Sequence, residues 1–216
     1  MSEGFVIAVD GPAASGKGTI ASSLGAAYGL PVLDTGLLYR AVGMTLLAAG
    51  GDLGDADAAA AVARRLDPAR LDDPAFRTRA AGEAASQVAA HPEVRAALRA
   101  FQQAFAAQPG GAVIDGRDIG TVIAPDAPAK LYVTASAAER ARRRWLQLKD
   151  QGATYEDVLA DIEQRDARDA GRADSPMRPA ADAVLLDTTE MTIPAAADAA
   201  RRIVETARAR WEKSRG

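Results

Sequence analysis

Val6-Ile7-Ala8-Val9-Asp10-Gly11-Pro12-Ala13-Ala14-Ser15-Gly16-Lys17-Gly18-Thr19 is the stretch on which the fold turns. A short apolar, β-branched run stops at Asp10. Gly11 and Gly16 then bracket four residues, and Lys17 follows. The pattern predicts a phosphate-binding loop between a strand and a helix. Glycines let successive backbone N–H groups turn inward around a phosphate, where a Cβ would intrude. A helix that begins at the loop turns its partly positive N-terminus to the anion. Lys17 adds a mobile point charge able to follow a γ-phosphate. The expected ligand is a nucleoside triphosphate, or a group with the same phosphates, held along residues 11–19.

One position departs from the commonest form of this loop. Gly18 stands where a serine or threonine usually ligates magnesium, and Thr19 comes one residue later. A Gly-Lys-Gly-Thr ending resembles the loop of the nucleoside monophosphate kinases, and the resemblance implies that the ion, Mg2+ brought in as Mg-ATP, is held more loosely, partly through water. Asp115 closes the apolar run Ala112-Val113-Ile114 and is the second candidate, because a carboxylate at a strand end meets the magnesium shell in kinases with such loops.

The 216 residues suit one α/β domain with a modest insertion. A hydrophobic fraction of 48% is enough for a core, and a net charge of −3 gives no global field favouring nucleic acid. A small anionic substrate held by local arginines fits that balance. With no cysteine there is no disulfide, thiolate metal site or cysteine nucleophile. Of 26 basic residues only Lys17, Lys130, Lys149 and Lys213 are lysines, and alanine is abundant, the mark of a GC-rich genome. Arginine positions therefore count for more than arginine number. The sequence holds no asparagine, which excludes the Asn-Lys-x-Asp guanine-reading motif. Glu3 and the short apolar run after it do not resemble a signal peptide, and no stretch reaches transmembrane length. A cytoplasmic location without membrane or nucleic-acid partners is expected, as a monomer, since no surplus apolar helix face is evident.

Along the chain, strands are expected at about 4–10, 30–33, 112–115, 130–133 and 184–187. Helices are expected at about 17–28, ended by Gly29, at 37–49, and from Thr192 and Pro194 onward. Residues 52–110 read as helical with breaks at Asp67-Pro68, Asp73-Pro74 and His91-Pro92, His91 taking a capping position before Pro92. Ser136-Ala-Ala-Glu139 has the form of a capping box. It opens an arginine-rich helix, and a second runs from Thr154 to about Ala170. Five short apolar strands separated by helices predict a parallel sheet with helices on both faces. The expected organisation is a core of 1–39, 111–135 and 177–216, an inserted substrate-binding region at 40–110 and a lid at 136–176.

Further constellations point to a second anion. Asp115-Gly116-Arg117-Asp118 places two carboxylates and a guanidinium at the C-terminal end of a strand, where open α/β sheets bind ligands. Arg40, one turn beyond Thr35-Gly36 and next to Tyr39, can face an anion near that helix start. In the lid, Arg140, Arg143 and Arg144 share one helix face, and Arg165, Arg168 and Arg172 another. Asp166 and Asp169 lie between them and would keep the arginines from repelling. Two such faces form a clamp over phosphates; ordinary salt-bridged surface helices are the competing reading. Trp145 and Trp211 read as packing residues.

The combination Asp10–Thr19, Asp34-Thr-Gly-Leu-Leu-Tyr-Arg40, Ala85-Ser-Gln-Val-Ala89 with Val94-Arg95, Asp115-Gly-Arg-Asp-Ile-Gly-Thr121 and Arg165-Asp-x-Arg-Asp-x-x-Arg172 resembles the bacterial cytidylate kinases over nearly the whole chain. The resemblance implies a P-loop, monophosphate-kinase fold and transfer of the ATP γ-phosphoryl group to CMP or dCMP. It implies that Ser86, Arg95 and Asp118 read the cytosine, and that Arg165 and Asp169 hold the ribose. Arg40, Arg117 and Arg172 would bind the acceptor phosphate, with Thr35 and Tyr39 nearby. Lys17, Arg117, Arg144 and Arg168 would carry the transfer. Two departures stand out. The insertion has no strand-like alternation between Leu66 and Gly82, so it is expected to be short and helical. Leu37 replaces a residue that is commonly small, which would tighten the wall near Thr35. Another small-molecule kinase of the same fold, and a non-catalytic nucleotide-binding module, remain as alternatives.

Overall fold

The computed structural model describes residues 4–148 and 152–215, so Glu3 and Lys149 lie outside the described residues. Strand β1 (Phe5–Asp10) is buried at every position, so both of its faces are covered. That is the setting of a central strand in a parallel sheet. It pairs in parallel with β3 (Gly111–Gly116) on one side and β4 (Ala129–Thr134) on the other, with Asp10 opposite both Gly116 and Tyr132. β4 pairs with β5 (Val184–Asp187), and β2 (Val32–Asp34) lies beside β3, giving the order β2-β3-β1-β4-β5. The chain thus moves to opposite sides of β1, and the C-terminal ends of β1, β3 and β4 meet at one edge, where such sheets bind ligands.

β2 begins two residues later than its apolar run suggests. Helix α1 (Lys17–Tyr28) ends on Gly29 at φ 63°, and the Leu30 N–H closes the turn on the Gly25 carbonyl at 3.0 Å. Leu30 is consumed by that turn, and pairing with β3 starts from the Pro31 carbonyl, which accepts from Val113 N–H. Helices α1 and α8 (Ile193–Lys213) cover one face of the sheet. Ile20 and Leu24 of α1 and Ala200 and Val204 of α8 pack on Ile7, Val9, Leu131 and Val133. Thr192 caps α8 through its hydroxyl, and Trp211 meets Phe5 edge-on at 5.3 Å.

The chain divides into two compact units, Met1–Leu33 with Gln103–Gly216, and Asp34–Gln102. In the second, α2 (Thr35–Ala48) starts two residues before the expected 37, with Asp34 at the cap position. It is followed by α3 (Ala56–Arg64), α4 (Arg79–Val88) and α5, which begins at Pro92 and runs to Ala106 across the boundary. Leu38, Val42 and Leu46 of α2 pack with Val88 of α4 and with Val94 and Leu98 of α5. As the missing alternation predicts, residues 66–78 hold two 3-10 turns, Pro68–Arg70 and Pro74–Arg77, each capped by the preceding aspartate. Leu37 is buried with Ala41 and Phe76 of the second turn, so its bulk serves packing. His91 does precede α5, but its imidazole Nε2 reaches the Leu53 carbonyl at 2.8 Å.

In the first unit, α6 (Ala137–Leu148) and α7 (Tyr155–Ala170) share a small core of Ala141, Leu148, Val158 and Ile162, with Trp145 packed against it. Half of the capping box forms: Ser136 Oγ accepts from Glu139 N–H at 3.2 Å. The reciprocal bond is replaced, because Ser136 N–H donates to Thr189 Oγ1 and the Glu139 carboxylate takes Arg142 and Arg143.

Gly43 marks a close approach of α2 to α4. A Cβ there would lie 2.7 Å from Ala84 Cβ and 3.0 Å from its carbonyl carbon. Gly43→Val is therefore expected to lower stability by about 1–3 kcal/mol in urea unfolding, the usual cost of overpacking. An unchanged midpoint would contradict this packing.

Candidate active site

Gly11 shows why the loop starts with glycine. Its φ is 147°, and a Cβ would sit 1.9 Å from the Val133 carbonyl oxygen, so the end of β4 leaves no room for a side chain. Ala14 holds a left-handed φ of 59°, unusual for a residue with a Cβ, and Gly16 enters α1 at φ 90°. Such conformations cluster where backbone N–H groups must converge on a ligand. Lys17 folds back over the loop, its Nζ 3.4 Å from the Pro12 carbonyl and 3.7 Å from Asp115 Oδ1. Gly18 has a structural reason as well. A Cβ there would come within 3.2 Å of Asp115 Oδ2, so glycine keeps the approach to that carboxylate open. A carboxylate oxygen suits Mg2+, which keeps several of its waters. Thr19 lies exposed on the same turn of α1.

Beyond β3 the chain makes a π-helical turn, Ile119–Ile123, with Asp118 as its cap. Asp118 and Asp115 are both buried. So is Asp10, whose two carboxylate oxygens accept from the Ile119 and Gly120 N–H groups at 2.8 Å each. Burial pushes the Asp10 carboxyl up to about 7, against the pull of the two amides. Asp118 and Asp115 raise it a little further. Sequence reasoning passed over Asp10 as the end of a strand. The available signal was a carboxylate terminating a wholly apolar run, where a structural strand has no need of one.

Asp169, on α7, is the hub of the arginines. It accepts from Arg117 Nε at 3.0 Å and from Arg172, and it also feels Arg165. Burial would raise its pKa, but the guanidiniums outweigh burial and hold the carboxyl below its ordinary value. Arg117, Asp169 and Arg172 are thus brought together, with Arg165 close enough to be felt. Two arginines of α6 are used differently. Arg140 is buried and donates to the Ala135 and Ala13 carbonyls and to both oxygens of Asp166. Arg143 donates to Glu139, to the Thr188 carbonyl at 2.6 Å and to Thr188 Oγ1 at 3.0 Å. The Thr188 hydroxyl in turn donates to the Ser15 carbonyl at 3.0 Å. These two arginines brace the phosphate loop against α6, α7 and the end of β5. Arg144 donates to Gln147 and is half-buried, as is Arg168.

The second unit carries the other candidates. Thr35, Tyr39, Ser86 and Arg95 are buried there. The Arg95 guanidinium lies 5.8 Å from the Tyr39 ring centroid, within cation–π range. Arg40 donates to the Phe76 carbonyl at 3.3 Å, which ties it to the second 3-10 turn.

The cytidylate kinase family model matches residues 7–208. The chain belongs to the cytidylate kinase family. Cytidylate kinase of Caulobacter vibrioides is 69% identical over 96% of this chain and 98% of its own length. That of Caulobacter sp. strain K31 is 66% identical over 98% and 99%. The Rhodopseudomonas palustris cytidylate kinase is 55% identical over 95% and 98%. Family membership at this level extends across the loop, the carboxylate turn and the arginine helices alike. No helix among the described residues is long and apolar enough to cross a membrane, and no group of three His, Cys, Asp or Glu suited to a metal occurs among them.

The buried Asp10 makes stability depend on pH in a defined sense. Its carboxyl titrates near 3.8 when unfolded and near about 7 when folded, so the native state holds more protons between those values. Stability from this group falls as pH rises through that window. The stability of the wild type relative to Asp10→Asn is expected to decline from about pH 4 to about pH 8, measured by thermal unfolding. A difference that stays flat or grows would contradict the assigned burial.

Proposed function

We propose that the protein transfers the γ-phosphoryl group of ATP to CMP or dCMP, giving ADP and CDP or dCDP in pyrimidine nucleotide metabolism. The reading includes a monomer in the cytoplasm, without nucleic-acid or membrane partners. The observation that carries it is the Arg117–Asp169–Arg172 cluster in the same compact unit as the phosphate loop. A nucleotide-binding module needs only the loop; a phosphoryl transferase needs a second anion site. The domain reading keeps 1–39, 111–135 and 177–216 as core, 40–110 for the monophosphate and 136–176 as lid.

The acceptor is a phosphate oxygen, anionic at neutral pH, so the chemistry asks for no strong general base. The obstacle is repulsion between two polyanions that must approach in line, and the remedy is alignment and charge neutralisation. Residues 11–19 hold the donor phosphates through their backbone N–H groups, Pro12 excepted because it has none, and Lys17 follows the transferring group. Arg40, Arg117 and Arg172 hold the acceptor phosphate, while Arg165 and Asp169 fix the ribose. Arg144 and Arg168 meet the phosphates when the lid closes and water is expelled. Asp115 and Thr19 would hold Mg2+, partly through water, where it would supply neutralising charge for the donor phosphates.

Base choice follows from donors and acceptors. Cytosine offers an amino donor at N4 and acceptors at N3 and O2. Asp118 accepts from N4; Arg95 and Ser86 donate to N3 and O2, with Thr35 and Tyr39 lining the nucleotide. Uracil reverses the pattern and leaves desolvated polar groups unpaired, each at about 1–3 kcal/mol.

Lys17→Ala is expected to lower kcat by roughly a hundredfold or more, the scale for one strong electrostatic donor, with the circular dichroism spectrum unchanged. A near-normal kcat would overturn the assignment. Arg95→Met is expected to cut kcat/KM for CMP and to narrow the CMP-to-UMP ratio. An untouched ratio would refute this account of the base site.

A further inference from the structure

β1 is locked between two partners up to its last residue, Asp10, which lies opposite Gly116 and Tyr132. One residue later the chain is pinned again, at Gly11 against the Val133 carbonyl. The Asp10 side chain therefore projects from backbone that is held on both sides. It is 4% exposed, and both of its oxygens are engaged, Oδ1 by Ile119 N–H and Oδ2 by Gly120 N–H. Those amides open the turn that follows directly on Arg117 and Asp118. The rest of that turn closes on the Asp118 carbonyl, which accepts from Val122 N–H at 2.8 Å and from Thr121 Oγ1 at 3.2 Å. At Gly120 a Cβ would meet Lys130 Cδ at 3.2 Å and Asp10 Oδ2 at 3.4 Å, so the turn is held close to the carboxylate. A buried carboxylate is costly to keep, and the core would accept an apolar residue at a strand end. What the carboxylate supplies is two acceptors at a fixed spacing for two consecutive backbone donors.

We infer that Asp10 is a positioning residue that sets base selectivity: it holds the 116–123 turn, and with it Arg117 and Asp118, in register with the phosphate loop. The inference rests on the reading of Asp118 as the group that takes the cytosine amino hydrogen. Hydrogen bonds weaken steeply with misalignment, so a turn released from Asp10 would present Asp118 to either pyrimidine less selectively. Asparagine cannot replace the aspartate. It offers one acceptor, and its amide would set a donor against a donor.

The test compares Asp10→Asn and Asp118→Asn with the wild type, measuring KM for CMP, UMP and ATP separately. Asp10→Asn is expected to raise KM for CMP about tenfold and to narrow the CMP-to-UMP ratio of kcat/KM, the effect of losing one buried hydrogen bond in the base site. KM for ATP is expected to stay within about twofold, below the tenfold that one such bond is worth. If Asp118→Asn narrows the ratio and Asp10→Asn does not, the inference falls while the base-site reading stands. If neither moves the ratio, that reading falls and the inference with it. An equal rise in KM for ATP and CMP would mark general damage and overturn the positioning role. If Asp10→Asn does not fold, amide hydrogen exchange of the wild type decides. Ile119 and Gly120 amides as protected as those of β1 are expected, and exchange at the rate of exposed loops overturns the inference.

Discussion

At the end of β1 the chain leaves a strand paired on both sides and must turn at once into a loop whose N–H groups face inward. The backbone passes so near the Val133 carbonyl that only glycine fits at position 11. That constraint places the loop directly over the C-terminal ends of β3 and β4. Asp115 and the Arg117-Asp118 pair then follow within one short segment of the same sheet edge. The apolar packing of α1 and α8 on the sheet keeps this edge rigid. Rigid placement matters because the proposed chemistry depends on alignment more than on proton transfer.

Charge is the second organising theme. The chain as a whole carries −3, yet several of its arginines gather around a few carboxylates, of which Asp169 is buried. Asp169 gathers Arg117 and Arg172, Asp166 takes Arg140, and Glu139 takes Arg142 and Arg143. Each acid keeps neighbouring guanidiniums from repelling and fixes their direction. Arg140 and Arg143 spend their donors on carbonyls of the loop region and on Thr188, and so tie α6 to the phosphate loop. Movement of that helix would be felt at the loop through these bonds.

Local pattern was enough to read the loop, the five strands and most of the helix starts, because apolar runs, glycine brackets and Thr or Asp caps act within a few residues. Thr154 and Thr192 do cap their helices. Helical spacing put Arg140, Arg143 and Arg144 on one face of α6. It could not say which way a face points, so Arg140 read as part of a phosphate clamp although it turns inward to Ala13, Ala135 and Asp166. Thr188 gave no signal at all, since its role depends on Ser15 and Arg143, both remote in sequence. The strand order, with β3 between β2 and β1, is likewise a matter of long-range pairing. Asp10 was visible in the sequence, but its partners, the amides of Ile119 and Gly120, lie more than a hundred residues away.

The most direct test of the account is ADP release by the wild-type protein, with saturating Mg-ATP and CMP, dCMP, UMP, AMP or GMP in turn. The account predicts rapid release with CMP and dCMP, clearly slower release with UMP, and negligible release with the purine monophosphates. Equal rates with AMP and CMP, or ATP binding without ADP release on any of them, would contradict it.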